Sequence, residues 1–260
     1  MRLQEAANTA LCSIGKADLA SAQAVIAAGA VRCIKGHLAG HNAGVQEAGL
    51  TTLTALAESN ADLAADMLEE ELAHKVVAVL HIKDAPPPLL EAAARALKAH
   101  AMHDATLAHR VLDAGAASAL VSVLTNNAAL QRPKRLQAAV LECLSFMAHH
   151  DTAGATAVVN AGAVRPAMEH VIDDGNAAVR RAAACLLQRF ATRTPTLAEN
   201  VASDGCIMGL LQALKLDHDT PHAVAPLTAL GHIGAFGVQF AQAVRALSCC
   251  RLLGKRGAMA

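Results

Sequence analysis

The stretch Ala182–Gly205, AAACLLQRFATRTPTLAENVASDG, decides the reading of this chain because its landmarks recur. Ala182 has counterparts at Ala6, Ala48, Ala92, Ala139 and Ala225. Leu187 has counterparts at Leu11, Leu53, Leu97, Leu144 and Leu230, and Ala198 at Ala22, Ala64, Ala108, Ala155 and Ala241. Three columns are identical in six copies, and the leucine column is spaced by 42, 44, 47, 43 and 43 residues. Self-similarity at that period marks an all-α solenoid, in which a helical unit buries its apolar face only by stacking on the next. The period overrides the prior of one or two compact domains for 260 residues; a single quasi-linear array is expected.

Outward from that stretch, the chain opens on a helix over residues 3–15, where Ala6, Ala7, Ala10, Leu11 and Ile14 keep helical spacing. The remainder reads as a partial unit 1–16, units near 17–58, 59–102, 103–149, 150–192 and 193–235, and a partial unit 236–260. Each unit is expected to hold two short helices and one long one. A Gly at Gly29, Gly115, Gly162 and Gly205 supplies the turn between the short helices, where a left-handed backbone needs no Cβ. The second unit departs: Glu71 stands where Gly is expected, inside the acidic run 69–71. Pro86–Pro88, Pro133 and Pro195 suit helix starts, and Pro226 should kink or delay the helix near 222–235. The sixth copy begins at Phe240, Ala241 and Val244, then fades to Ser248 and a basic tail. With both ends reading as open, the chain is expected to be either a piece of a longer array or one whose ends stack on another molecule.

Composition narrows the function. Hydrophobic residues make up 54% and charged ones 17%, with no Trp or Tyr and four Phe, so small side chains must fill the core. The net charge is zero, but residues 1–130 hold 9 Lys/Arg against 13 Asp/Glu and residues 131–260 hold 13 against 9. Such asymmetry orients a partner; it lacks the basic excess of a general nucleic-acid binder. Seven Cys without a CxxC read as reduced core thiols, with Cys12, Cys143 and Cys185 among apolar neighbours. Gln4, Glu5 and Asn8 interrupt any signal-like start, and no apolar run nears the roughly 18 residues of a membrane span. No Walker loop, HExxH or G-x-S-x-G is present, and Gly254–Gly257 lacks the rest of a phosphate loop. No enzyme, cofactor or metal is expected.

The unit V-x-x-A/D-G-A/C-x-x-x-L followed by a long Ala/Leu helix resembles the armadillo repeat, over nearly the whole chain; HEAT repeats are the near alternative. The phrases His103–Ala116, Thr194–Gly205 and Val238–Val244 resemble the sperm-associated-antigen type of armadillo protein. That resemblance implies a right-handed superhelix and a place in the central apparatus of motile cilia, with other axonemal armadillo proteins and tubulin as partners. Importin-like armadillo proteins carry a Trp/Asn ladder on the long helix. Here the Trp-equivalent column reads Thr9, Thr51, Arg95, Glu142, Cys185 and Thr228, and the Asn-equivalent column Ser13, Ala55, Ala99, Phe146, Arg189 and His232. Neither ladder exists, which argues against an import receptor.

Candidate protein-binding residues are therefore Arg95, Phe146, Arg189 and His232 from those columns, with Arg193, Lys134 and Arg135 on the same helices or at their ends. Arg180, Arg181, Arg189 and Arg193 read as a basic face for an acidic segment such as a tubulin tail, against the plainer reading of a solvated face. Phe146 is either an exposed anchor or core. His103 and His150 share a column near His100 and His149; a helix-end role outweighs a metal site. The expected function is a non-catalytic interaction scaffold of the ciliary axoneme. The alternatives are a cytoplasmic adaptor that takes an extended peptide in a concave groove and, last, a helical-repeat enzyme.

Overall fold

A computed structural model describes residues 2–68, 70–125, 133–173, 175–203, 205–217, 220–236 and 241–242. Among these the chain is helical, without a strand. A first long helix, α1 (Arg2–Gly15), is followed by five triplets of two short helices and a longer one. The triplets are α2 (Leu19–Ala27), α3 (Ala30–Leu38) and α4 (Ala43–Ser59); α5 (Ala61–Met67), α6 (Glu70–Leu80) and α7 (Pro87–Ala101); α8 (Ala105–Asp113), α9 (Ala116–Thr125) and α10 (Lys134–Met147); α11 (Thr152–Asn160), α12 (Val164–Asp173) and α13 (Ala177–Ala191); and α14 (Pro195–Ser203), α15 (Cys206–Leu216) and α16 (Val224–Ala235). The long helices α1, α4, α7, α10, α13 and α16 pack side by side in that order and form one continuous ladder.

Local chemistry sets each boundary. The first short helix of every triplet is N-capped by a polar side chain seven residues beyond the column leucine. Asp18, Asn60, Asp104 and Asp151 accept from backbone N–H groups at 2.7–2.8 Å, and Thr194 Oγ1 accepts from Leu197 at 3.2 Å. This satisfies N–H groups that have no partner inside the helix. Asn42 and Asn176 cap the long helices α4 and α13 in the same way. Gly29, Gly115, Gly162 and Gly205 take φ values of 73–87°, in the left-handed region. The second triplet reaches its turn without Gly. There α5 has 7 residues where its counterparts have nine, so the chain turns at Leu68 and Glu71 falls inside α6. Glu71 then pairs with Lys75 at 2.9 Å and with Lys35 at 3.5 Å, in the first turn where negative charge suits the helix dipole. Pro226 delays α16: a 3-10 turn at Pro221–Ala223 precedes it.

The recurring columns form the core. Leu53, Leu97, Leu144, Leu187 and Leu230 are buried, as are Ala22, Ala64, Ala108, Ala155 and Ala198. At the first helix Leu11 is only half-buried and Ala6 is exposed. Of the sixth copy, Ala241 is exposed, while Phe240, Val244, Ser248 and the tail lie outside the described residues. Alanine in these columns lets helix axes approach closely, and interiors packed to crystal density register even one added methylene. No single helix among the described residues is long and apolar enough to cross a membrane; α8 and α9 meet length and composition together only as a pair bent by 67°. Leu107, Val111, Leu120 and Leu124 of that pair are core residues.

Neighbouring units also cap one another. His103 Nε2–H donates to the Ala57 carbonyl at 2.7 Å, and His150 Nε2–H donates to the Ala101 carbonyl at 2.8 Å. Each ring therefore satisfies a carbonyl at the C-terminal end of the preceding long helix, a group without an intrahelical partner. Arg110 likewise donates to the Leu68 carbonyl, just after the short helix α5, at 3.3 Å. Burial, more than position at a helix end, governs His100. Its Nδ1–H donates to the Ala96 carbonyl at 2.8 Å, its Nε2 is buried without a partner, and burial pushes its pKa down to about 4.

That histidine makes stability depend on pH. As pH falls below about 6.5 the unfolded chain protonates His100, while the folded chain stays neutral until about 4. Stability should therefore drop by about 2–3 kcal/mol across this window. Urea midpoints at pH 7 and pH 4.5 are expected to diverge less for His100→Leu than for the parent chain; equal divergence would remove His100 as the cause.

Candidate functional site

Two adjoining clefts cross the ladder of long helices. The first, about 380 Å³, is lined from α4 by Glu47, Thr51, Ala55 and Glu58, from α7 by Glu91 and Arg95, and from α10 by Arg135. The second, about 260 Å³, is lined by Glu91, Arg95 and Lys98 of α7, Lys134, Arg135 and Glu142 of α10, and Asn176 and Ala178 beside and on α13. Glu91, Arg95 and Arg135 belong to both, so the clefts form one groove across four consecutive long helices.

Charge in this groove changes sign along the ladder. Six residues before the column leucine stand Glu5, Glu47, Glu91, Ala138, Arg181 and Val224 on successive long helices. Among the described residues neither Glu47 nor Glu58 takes part in an ion pair. At α7 the pairs are loose: Glu91 lies 3.7 Å from Arg95 and 4.0 Å from Arg135, whose side chain is 84% exposed. Such exposed pairs contribute at most about 1 kcal/mol, so a ligand charge displaces them readily. At α10, Glu142 is held from both sides, by Lys98 at 2.9 Å and Arg181 at 3.1 Å.

Beyond Glu142, beside the second cleft, stands a cationic cluster. Lys98 Nζ sits 5.8 Å above the Phe146 ring, and Phe146 meets His149 edge-on at 6.4 Å between centroids. His149 lies 5.1 Å from His150 between ring centroids. The His149 pKa is lowered by burial first, then by Arg189, His150 and Arg193. Burial also lowers the pKa of Arg189; Cys185 opposes this and Arg193 adds to it. Arg189 Nε, Arg193 Nε and His149 Nδ1 are buried without a hydrogen-bond partner.

The structure sorts the seven candidates. Arg95, Lys134 and Arg135 converge on the clefts. Phe146 is half-buried: it packs against the core and Lys98 Nζ lies over its ring. Arg189 and Arg193 share the cluster with His149. His232 lines neither cleft; it is exposed on α16, 6.4 Å from the Phe236 ring. Arg180 leaves the expected basic face altogether. Its side chain is 9% exposed and makes a two-point pair with Asp217, at 2.8 and 3.2 Å. The reading by two columns missed Glu47, Glu58, Glu91 and Lys98. The column six residues before the leucine carried the signal for Glu47 and Glu91, because it too faces the groove.

Among the described residues no three His, Cys, Asp or Glu side chains converge as a metal-binding group. Burial raises the thiol pKa of Cys143 and of Cys185, which disfavours the reactive thiolate.

The fold and groove define a right-handed armadillo-type α-solenoid, and solved structures match it. An engineered protein superposes with a TM-score of 0.82 at 24% identity, over 90% of this chain and 93% of its own. The designed armadillo repeat protein YIII(Dq)4CqI gives a TM-score of 0.77 at 18% identity, over 88% and 92%. A related designed armadillo repeat protein, solved in complex with the peptide (KR)4, gives 0.78 at 18% identity, over 88% and 92%. No family model and no curated protein matches the sequence.

Proposed function

We propose that this chain is a non-catalytic protein-interaction scaffold that holds an extended segment of a partner along its long-helix groove. The observation that carries this is the continuity of the groove: charged side chains of α4, α7 and α10 line one channel that shares Glu91, Arg95 and Arg135 and reaches Ala178 on α13. The armadillo-type solenoid holding (KR)4 supports the reading by fold. Binding of tiled peptide arrays by the full chain, followed by solution affinities, tests it. An Arg95→Glu/Arg135→Glu variant is expected to weaken bound segments at least tenfold. Absence of any saturable segment, or binding indifferent to these changes, overturns the groove as the recognition surface.

We propose the ciliary axoneme as the setting, with tubulin and other axonemal armadillo proteins as partners and the cytoplasm as the alternative. The support is the wording of His103–Ala116, Thr194–Gly205 and Val238–Val244. The cationic cluster beside the groove also suits an acidic tail. Co-sedimentation with microtubules, with and without their tails, is expected to show tail-dependent binding that weakens with salt. No binding would discard direct tail recognition and leave the peptide adaptor.

A further inference from the structure

We propose that the groove and the cationic cluster beside it select a charge-segregated ligand: an extended peptide with basic side chains over Glu47 and Glu58 and acidic side chains over Arg189 and Arg193. The inference rests on the groove reading above and adds to it the order of charges in the partner.

Three observations converge. The acidic end, on α4, presents two carboxylates outside any ion pair among the described residues, with Lys16 lining the same cleft, so two carboxylates face one cation there. The basic end is a cluster on and just after α13 that lines neither cleft and adjoins the second through Lys98 over Phe146; it presents two guanidinium groups four residues apart whose Nε atoms are buried and lack a partner. Among the described residues no ion pair joins Arg189 or Arg193 to a carboxylate. Nearby acids are already engaged: Glu142 by Lys98 and Arg181, and Asp151 by His109 at 2.8 Å and the Gly154 N–H at 2.7 Å. An arriving carboxylate supplies the missing countercharge, and charge-assisted bonds to guanidinium are the stronger kind. Between the ends, Glu91 pairs loosely with Arg95 and Arg135 and Glu142 pairs with Lys98, so the middle of the groove already carries more cations than carboxylates.

The spacing sets the ligand's length. Packed helices stand roughly 8–10 Å apart, and an extended chain advances about 3.3 Å per residue. Three helix steps from α4 to α13 therefore take roughly nine residues between the two charged ends.

The test uses fluorescence anisotropy of the full chain with labelled synthetic peptides of one composition. One carries a block of three lysines, a glycine–serine spacer and a block of three glutamates; the other alternates lysine and glutamate. A lysine-only and a glutamate-only peptide complete the set. The segregated peptide is expected to bind at least tenfold tighter than the alternating one at low salt. Arg189→Glu/Arg193→Glu should erase that preference, and Glu47→Lys/Glu58→Lys should erase it independently from the other end. Circular dichroism melts verify folding of each variant; Arg189→Gln/Arg193→Gln replaces the first if it unfolds. Equal affinity for the segregated and alternating peptides, or a preference that survives both double variants, overturns the charge order while leaving the groove in place. No saturable binding by any peptide overturns both.

Discussion

Asp217→Asn is expected to lower stability by about 3–5 kcal/mol, the loss typical when one partner of a buried ion pair is removed. Asp217 closes α15, and Arg180 lies in α13, so the pair fastens the long helix of one triplet to the second short helix of the next. With side-chain exposures of 9% and 7%, neither charge finds water when its partner is neutralised. The loss should be local, because stability in a solenoid is close to a sum over units and their interfaces. Hydrogen exchange is therefore expected to accelerate in α15 and α16 while α4 and α7 keep their protection. A paired replacement, Arg180→Met with Asp217→Leu, should recover most of the loss, since well-packed apolar groups substitute for a buried pair. A single-variant loss below about 1 kcal/mol in urea unfolding would show that the pair is solvated in solution.

Leu144→Ala is the second large effect, with an expected cost of about 2–5 kcal/mol. Leu144 is fully buried in α10, which packs between α7 and α13 at the middle of the ladder. The cavity weakens both interfaces, and in a nearest-neighbour array a weak middle uncouples the ends. Urea unfolding should then change from one transition to two. Leu11→Ala tests the reasoning from the same column. Leu11 is half-buried on α1, so its removal should cost about 1 kcal/mol or less and leave a single transition. Equal losses at the two positions would contradict the view that the interface, not the residue type, sets the energy.

The candidate site was only partly legible in sequence. Arg95, Phe146 and Arg189 came from columns at fixed offsets from the leucine, and those offsets do locate a helix face. Ala99, in the column of Phe146 and Arg189, is fully buried, so the face is not uniformly open. Glu71 misled as a lost turn: a short helix ended two residues early, and sequence alignment at a fixed offset cannot register that shift. His103 and His150 shared a column for a structural reason, the capping of a neighbour's carbonyl.

By itself the sequence determined the period, the six long helices, the left-handed glycine turns and the Ala/Leu columns. These follow from local backbone preferences repeated at fixed spacing, and repetition makes each visible. The tertiary structure decided which charges meet. Arg180 and Arg181 are adjacent, yet one is buried on Asp217 and the other lies half-exposed on Glu142. One residue step turns a side chain by about 100° around the helix. The partner waiting in each direction lies 37 or 39 residues away, so only stacking brings it into contact.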